Sequence, residues 1–161
     1  MFKKEELSKP VVKRTVLNIT DLESIEIDYT NRIINEYRSI LEKICVIGEN
    51  ENSYGEVAKL DVANILACNE RVVPLGKEVA SYKTTNNEDI LKSKNKEELH
   101  NKMVNIKREK EVVNNVTILA EKLGIRNPIA VGEFVQKLID IVNDVEIEYA
   151  MHMKKKLEGK K

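Results

Sequence analysis

The chain has 161 residues, of which 42% are hydrophobic and 34% are charged, a composition typical of one globular domain with its own core. Lysine plus arginine and aspartate plus glutamate number 27 each, so the formal charge is zero, and attraction to a polyanion requires local patches rather than total charge. No apolar run approaches the ~18 residues of a membrane-spanning helix, and the N-terminus lacks the apolar core of a signal peptide. We therefore expect a cytoplasmic protein.

The first twenty residues are predicted to form an extended basic arm rather than a helix. Pro10 and the β-branched residues after it show no helical periodicity, although they would allow one strand. The cations of this arm are Lys3, Lys4, Lys9, Lys13 and Arg14. Residues 21–161 are predicted to form a single all-α domain with four main helices.

The first helix is predicted to begin at Asp21, which is placed to cap it, and to end before Gly48. Its apolar residues recur at helical spacing: Ile33, Ile34, Tyr37, Ile40, Leu41 and Ile44. Ser53 and Glu56 have the spacing of a capping box. A second helix is therefore expected to start there and to end at Pro74.

The chain from Leu75 to Lys96 has little periodicity and is predicted to be a loop region, which allows one helical turn at each end. A third helix of about 25 residues is expected after it, because apolar residues recur in steps of three and four. These residues are Leu99, Met103, Ile106, Val113, Val116, Ala120 and Leu123.

A tight corner is predicted to join this helix to the last one. Gly124 has the position of a left-handed C-cap, and Ile125 is placed to contact the last turn. Asn127 is placed to cap the fourth helix, and Pro128 suits its first position because the missing N–H would have no partner there. The last helix is expected to run to about residue 156 and to form a hairpin with the third. At ~42 Å it is longer than one small domain needs, so an oligomer is expected.

Residues that carry catalysis are sparse. His100 and His152 are the only histidines, and they do not form the two Glu-x-x-His motifs of a di-iron site. Cys45 and Cys68 lie in helical patterns without the CxxC spacing of a zinc site, and they are expected to be buried reduced thiols rather than a disulfide. The sequence has no glycine-rich phosphate loop and no nucleophile elbow. We therefore predict a protein that is not an enzyme, with no catalytic residue, no metal and no cofactor.

The corner resembles a helix-turn-helix. Residues 119–131 place an alanine in the first helix and a glycine four residues later. The Leu-Gly, Arg, Pro and Ala pattern is similar to the turn of the winged-helix repressor of the bacterial DNA-damage response. A regulator of this kind would bind a palindromic DNA site as a dimer.

A broader resemblance extends from about Tyr29 to Phe134. The phage terminase small subunits of one widespread type have a first helix, a second helix that opens near an aspartate, a polar crossing, and a long helix that ends in a Leu-Gly corner before a proline. The similar parts here are residues 35–41, residues 56–68 around Asp61, residues 100–123, and Gly124-Ile125 with Pro128. This corner has one residue more before the proline, and Arg126 precedes the proline, whereas the family's arginine follows it.

This resemblance implies a non-catalytic DNA-packaging subunit in the cytoplasm of a bacterial host. Such a protein forms a homo-oligomeric ring, binds viral DNA and presents it to a separate large motor-nuclease subunit. Phosphate contacts would carry most of the affinity, which would therefore fall with salt. The candidate DNA-binding residues are Lys13, Arg14, Lys102, Lys107, Arg108, Lys110 and Arg126.

Two other classes of protein stay open at this point. A helix-turn-helix regulator would depend on Arg126 and Asn127 more than on Lys107 and Arg108. A helical scaffold or adaptor would bind other proteins and no DNA. For each basic patch, the alternative is a solvated helix face without a partner. No membrane partner and no small-molecule substrate is expected.

Overall fold

The computed structural model describes residues 25–46, 48 and 53–159. This part of the chain is all helical, without strands, as the sequence predicts, but it has five helices rather than four. They are α1 (Thr30–Ile44), α2 (Tyr54–Asn86), α3 (Lys96–Met103), α4 (Ile106–Lys122) and α5 (Pro128–Glu158). The predicted arm of residues 1–20, with Lys13 and Arg14, and the predicted cap Asp21 lie outside the described residues.

α5 is the central element, because each of the other four helices packs against it. Its 31 residues make it about 46 Å long. Ile141, Val145 and Tyr149 on its inner face are fully buried and form one core with residues of α1, α2 and α3. Each such side chain contributes roughly 1.5–3 kcal/mol relative to an exposed one.

α1 begins at Thr30, later than the sequence predicts. The chain just before it is extended, and Ile25 and Ile27 are buried while the residue after each of them is exposed. This alternation has the period of two of an extended segment that lies on a core. The Asp28 carboxylate accepts a hydrogen bond from the Thr30 N–H at 2.8 Å, and this bond lowers the pKa of Asp28.

α2 continues through Pro74 to Asn86, so the prediction that this helix ends at the proline is wrong. A proline inside a helix removes one hydrogen bond and costs about 3 kcal/mol. Burial outweighs that cost here, because Val72 and Val73 before the proline and Ala80 after it lie in the core. Most of the predicted loop region is therefore helix.

α3 and α4 take the place of the predicted third helix, so the prediction of one continuous helix is wrong. The chain is extended at Val104, and the Asn105 side chain caps α4 by accepting from the Arg108 N–H at 3.1 Å. Lys83 of α2 donates to the Met103 carbonyl at 2.8 Å and so provides a partner for the last turn of α3. The apolar pattern continues across this break, which is why it did not reveal the two helices.

The predicted corner between α4 and α5 is confirmed. Gly124 has a φ of +70°, which favours glycine. Two backbone bonds form the pattern of a Schellman cap: the Gly124 N–H donates to the Glu121 carbonyl at 2.9 Å, and the Ile125 N–H to the Ala120 carbonyl at 3.0 Å. Asn127 accepts from the Ala130 N–H at 3.2 Å, and Pro128 is the first residue of α5.

α4 and α5 run antiparallel, side by side, from this corner. Gly132 of α5 lies so close to Thr117 of α4 that a Cβ at residue 132 would be 2.2 Å from the Thr117 Oγ1. Farther from the corner, the Asn143 side chain of α5 donates to Glu109 of α4 at 3.1 Å. The two helices therefore form the expected hairpin, and α3 is a separate short helix.

Candidate nucleic-acid interface

The first turns of α4 carry three of the predicted DNA-binding cations, Lys107, Arg108 and Lys110. All three are exposed, and no described carboxylate forms a salt bridge with them. Glu109 is turned toward α5, from which it accepts a hydrogen bond. Glu111 is the exposed acid of the same turn. The start of α4 thus presents a net positive surface.

The position of these cations is unfavourable for the helix alone. The N-terminus of a helix carries a partial positive charge, so a cation there is destabilising by roughly 0.3–1 kcal/mol. Asn105 satisfies the Arg108 N–H, whereas the N–H groups of Ile106 and Lys107 have no acceptor within the helix. The surface therefore places cations beside backbone N–H groups that have no acceptor within the helix. A bound anion would reduce the repulsion among the cations and accept hydrogen bonds from these N–H groups.

Lys102 does not belong to this surface. It lies on α3, where its ammonium pairs with Glu98 at 2.8 Å and donates to the Asp89 carbonyl at 2.9 Å. The hydrogen bond from Lys102 lowers the pKa of Glu98. The charge of this lysine is therefore compensated within its own part of the fold.

Arg126 lies at the other end of α4, in the corner after Gly124, and is exposed. α4 has 17 residues, so roughly 25 Å of helix separates Arg126 from Lys107. Among the described residues, the structure therefore brings together the cations at the start of α4 and leaves Arg126 and Lys102 apart from them.

Three carboxylates of α5 form ion pairs with other helices. The pairs are Glu133 with Lys43 at 2.8 Å, Asp144 with Arg32 at 2.6 Å, and Glu146 with Lys83 at 2.6 Å. The first two pairs join α5 to α1, and the third joins it to α2. These carboxylates therefore do not offset the cations at the start of α4.

Burial shifts the pKa of two groups where α5 contacts other segments. Desolvation raises the pKa of Glu146, whose side chain is 4% exposed, and the hydrogen bond from Lys83 offsets part of the rise. Burial also raises the pKa of Tyr29 to about 12, with a further contribution from Glu148, which accepts a bond from the Tyr29 hydroxyl at 3.3 Å. Both side chains therefore join two segments of the fold: Glu146 bonds to α2, and Tyr29 bonds to α5.

A second group of cations was not predicted as a site. Lys94 and Lys96, at the start of α3, lie with Lys154 and Lys155, near the end of α5, around a pocket of about 220 Å³. The two pairs are far apart in the sequence and meet only because α5 passes α3. No local pattern could have indicated this pocket.

Residues 54–66 of α2, called here the free segment, carry apolar side chains on the surface. Five of them are at least half exposed: Tyr54, Val57, Leu60, Val62 and Leu66. The Tyr37 hydroxyl of α1 donates to Asp61 at 2.8 Å and ties the segment to the rest of the fold. A helix that is apolar on several faces is normally buried. The free segment is therefore a candidate interaction surface.

In the part of the chain that the structure describes, no helix is both long enough and apolar enough to cross a membrane. Nor do three or more histidine, cysteine, aspartate or glutamate side chains of these residues gather where they could hold a metal ion. Comparisons with protein-family models, with curated proteins and with solved structures find no match to this chain.

Proposed function

We propose that the protein is a non-catalytic DNA-packaging subunit of the terminase small-subunit type, which oligomerises, binds viral DNA and presents it to a separate motor-nuclease subunit. The observation that carries the DNA-binding part is the group of cations at the start of α4. Lys107, Arg108 and Lys110 are exposed without a described carboxylate partner, whereas several carboxylates of α5 are paired with α1 and α2. A chain of zero net charge thus presents a local positive surface.

A DNA phosphate at this surface would relieve the repulsion among the cations and accept bonds from the free N–H groups of the first turn. Such contacts position the DNA backbone and carry no sequence information. We therefore expect binding that depends strongly on salt and weakly on sequence.

The hairpin geometry favours this function over a helix-turn-helix regulator. In a helix-turn-helix the two helices cross at about 90–120°, whereas α4 and α5 are antiparallel from Gly132 to Asn143. α5 also has core residues from Ala130 to Ala150, so it is not free to enter a major groove.

The free segment of α2 supports the oligomeric part of the proposal. Its exposed apolar side chains are of the kind that protein–protein contacts cover. A second copy of the chain would supply such a surface at every subunit of a ring. An adaptor would instead cover the segment with a different protein.

Fluorescence anisotropy with a labelled DNA duplex at several salt concentrations tests the surface of α4. The variant Lys107→Ala/Arg108→Ala is compared with Arg38→Ala/Lys137→Ala, which removes the same charge from exposed positions on α1 and α5. The first variant should bind the duplex more weakly. Its decrease of log K with log salt concentration should also be less steep, by about 0.9 per lost phosphate contact. The control should bind like the wild type. Equal losses in both variants, or no binding at low salt, would contradict the proposal.

Native mass spectrometry tests assembly. We expect a ring of several copies that breaks down in Leu60→Glu/Leu66→Glu and persists in Leu119→Glu/Leu123→Glu. All four leucines are exposed, so neither variant should unfold the chain. A monomeric or dimeric wild-type protein would count against a packaging ring and would favour the regulator or the adaptor.

A further inference from the structure

The free segment of α2 has one side that faces α1 and an opposite side that faces away from the fold. On the first side, Asp61 accepts a hydrogen bond from the Tyr37 hydroxyl at 2.8 Å, and the Asn64 side chain donates to the same hydroxyl at 3.2 Å. On the opposite side, four exposed residues recur at steps of four, three and four, which places them on one stripe of the helix. These residues, called here the outer stripe, are Lys59, Ala63, Leu66 and Glu70.

The two ends of the outer stripe carry opposite charges. Lys59 and Glu70 are both exposed, and neither forms a salt bridge with another described residue. They are 11 residues apart, or about 16 Å along the helix, so they cannot pair within one chain. Both charges are therefore available to another molecule.

The outer stripe is complementary to a second copy of itself in the antiparallel orientation. Lys59 and Glu70 are symmetric about a point between residues 64 and 65, and so are Ala63 and Leu66. When this point coincides in two antiparallel helices, each Lys59 lies opposite Glu70 of the other copy. The same register places the small side chain of Ala63 opposite the larger Leu66. Charge and size therefore match in one register.

A parallel pair of stripes lacks this match. Two parallel helices in register would place Lys59 opposite Lys59 and Glu70 opposite Glu70, and like charges at such distances repel. The antiparallel pair also covers more apolar surface, because Leu60 and Val62, on the two flanks of the stripe, are more than half exposed in one chain.

We propose that two copies of the chain pair through their outer stripes, with the two α2 helices antiparallel. The inference rests on the oligomeric part of the proposed function, because it names the surface of the second copy that covers the free segment. Such a contact is symmetric and joins copies two by two. The proposed ring then contains an even number of copies, and a further contact joins one pair to the next.

Charge reversal, followed by analytical ultracentrifugation at low salt, tests the register. Lys59→Glu and Glu70→Lys each place like charges opposite one another at both ends of the contact. Each should therefore raise the dissociation constant of the pair about tenfold. Lys59→Glu/Glu70→Lys restores opposite charges and should pair like the wild type. Because the two residues are too far apart to interact within one chain, this recovery requires contact between copies.

A mixture of the two single variants provides a second readout. Lys59→Glu has two acids at the ends of the stripe, and Glu70→Lys has two bases, so a mixed pair has opposite charges at both ends. With one variant labelled with ¹⁵N, native mass spectrometry should show mixed pairs in excess over pairs of either variant alone. A random mixture of pairs would overturn the proposal.

Glu111 and Lys122 of α4 provide the matched control, because they are also exposed and 11 residues apart on one helix. The polar residues Asn114 and Asn115 lie between them, so this face has less apolar surface to cover. Glu111→Lys and Lys122→Glu should each assemble like the wild type. Equal weakening in these variants and in Lys59→Glu would show an effect of net charge and would overturn the proposal.

The pairing and the proposed function can fail separately. If Leu60→Glu/Leu66→Glu breaks the assembly but Lys59→Glu/Glu70→Lys does not recover it, the antiparallel pairing is wrong, while assembly through the free segment stands. An odd number of copies in the wild type has the same meaning. Recovery in the double variant of a protein that binds no DNA would support the pairing and contradict the packaging function. A monomeric wild type would contradict both.

Discussion

Lys83 of α2 and Glu146 of α5 form an ion pair at 2.6 Å in which the carboxylate side chain is 4% exposed and the lysine side chain is 33% exposed. The same ammonium donates to the Met103 carbonyl at 2.8 Å. One side chain therefore joins α2, α3 and α5, at the point where the predicted third helix is broken.

Lys83→Met should lower the free energy of unfolding by about 3 kcal/mol, because removing one partner leaves the buried carboxylate without compensation. The value lies at the low end of the usual range, since part of the lysine is exposed. Methionine keeps most of the aliphatic chain, so urea unfolding followed by circular dichroism reports the loss of the charge and its bonds. Lys92→Met is the control, because its pair with Asp89 is exposed. It should unfold like the wild type, and a loss as large as that of Lys83→Met would contradict the argument.

The raised pKa of Glu146 predicts a pH dependence of stability. The folded state holds the Glu146 proton to higher pH than the unfolded chain, whose pKa is near the ordinary value of 4.5. As the pH rises from that value through the raised pKa, the folded state binds more protons, and the free energy of unfolding falls. In Glu146→Gln the side chain does not titrate, so this contribution to the pH dependence of the free energy of unfolding is absent. The difference in free energy of unfolding, wild type minus variant, should therefore decrease from pH 4 to pH 7, and an increase would contradict the sign.

Gly132→Ala should destabilise the hairpin by about 2 kcal/mol. The new Cβ would be 2.2 Å from the Thr117 Oγ1, so the helices have to move apart. Adding Thr117→Ala should recover much of the loss, because it removes the clashing atom. Gly55→Ala is the control, since a Cβ there meets nothing within 4 Å, and it should raise stability by up to about 1 kcal/mol. If Thr117→Ala does not rescue, the close contact is not the cause.

Pro74→Ala should stabilise the protein by about 2 kcal/mol. Alanine restores a helical hydrogen bond and removes a penalty of about 3 kcal/mol. Alanine also gives the unfolded chain more conformational freedom. This stabilises the unfolded state by about 0.4–1 kcal/mol and offsets part of the gain. The proline side chain is exposed, so little packing is lost. Urea unfolding gives the change, and a destabilised variant would show that the proline is required by the packing of α2.

The corner at Gly124 could be predicted from the sequence because its determinants are local. A glycine at positive φ, an asparagine cap and a proline at the first helical position act within a few residues. The continuation of α2 through Pro74 could not be predicted this way, since it depends on burial against α5. The break before Asn105 was also missed, because the apolar residues keep their helical spacing across it.

The same distinction applies to the candidate sites. Lys107, Arg108 and Lys110 are neighbours in sequence, so a local pattern could predict that they lie together, but not that they lie at the start of a helix. The side chain of Lys102 belongs to the same basic run, but the break between α3 and α4 and the pair with Glu98 separate it from them. The pocket between α3 and the end of α5 depends on the length and direction of α5, which no local pattern specifies.

α2 consists of two parts that differ in how easily their amides exchange with solvent. The part from Val72 onward is held in the core, whereas the free segment has few partners within one chain. A helix with few tertiary contacts opens at a small free-energy cost, so its backbone amides exchange quickly. Deuterium uptake should therefore be fast in residues 54–66 and slow after Pro74. A partner that covers the free segment would slow amide exchange only in residues 54–66. Exchange in the core-held part of α2 would stay unchanged, so this part serves as the internal control for assembly.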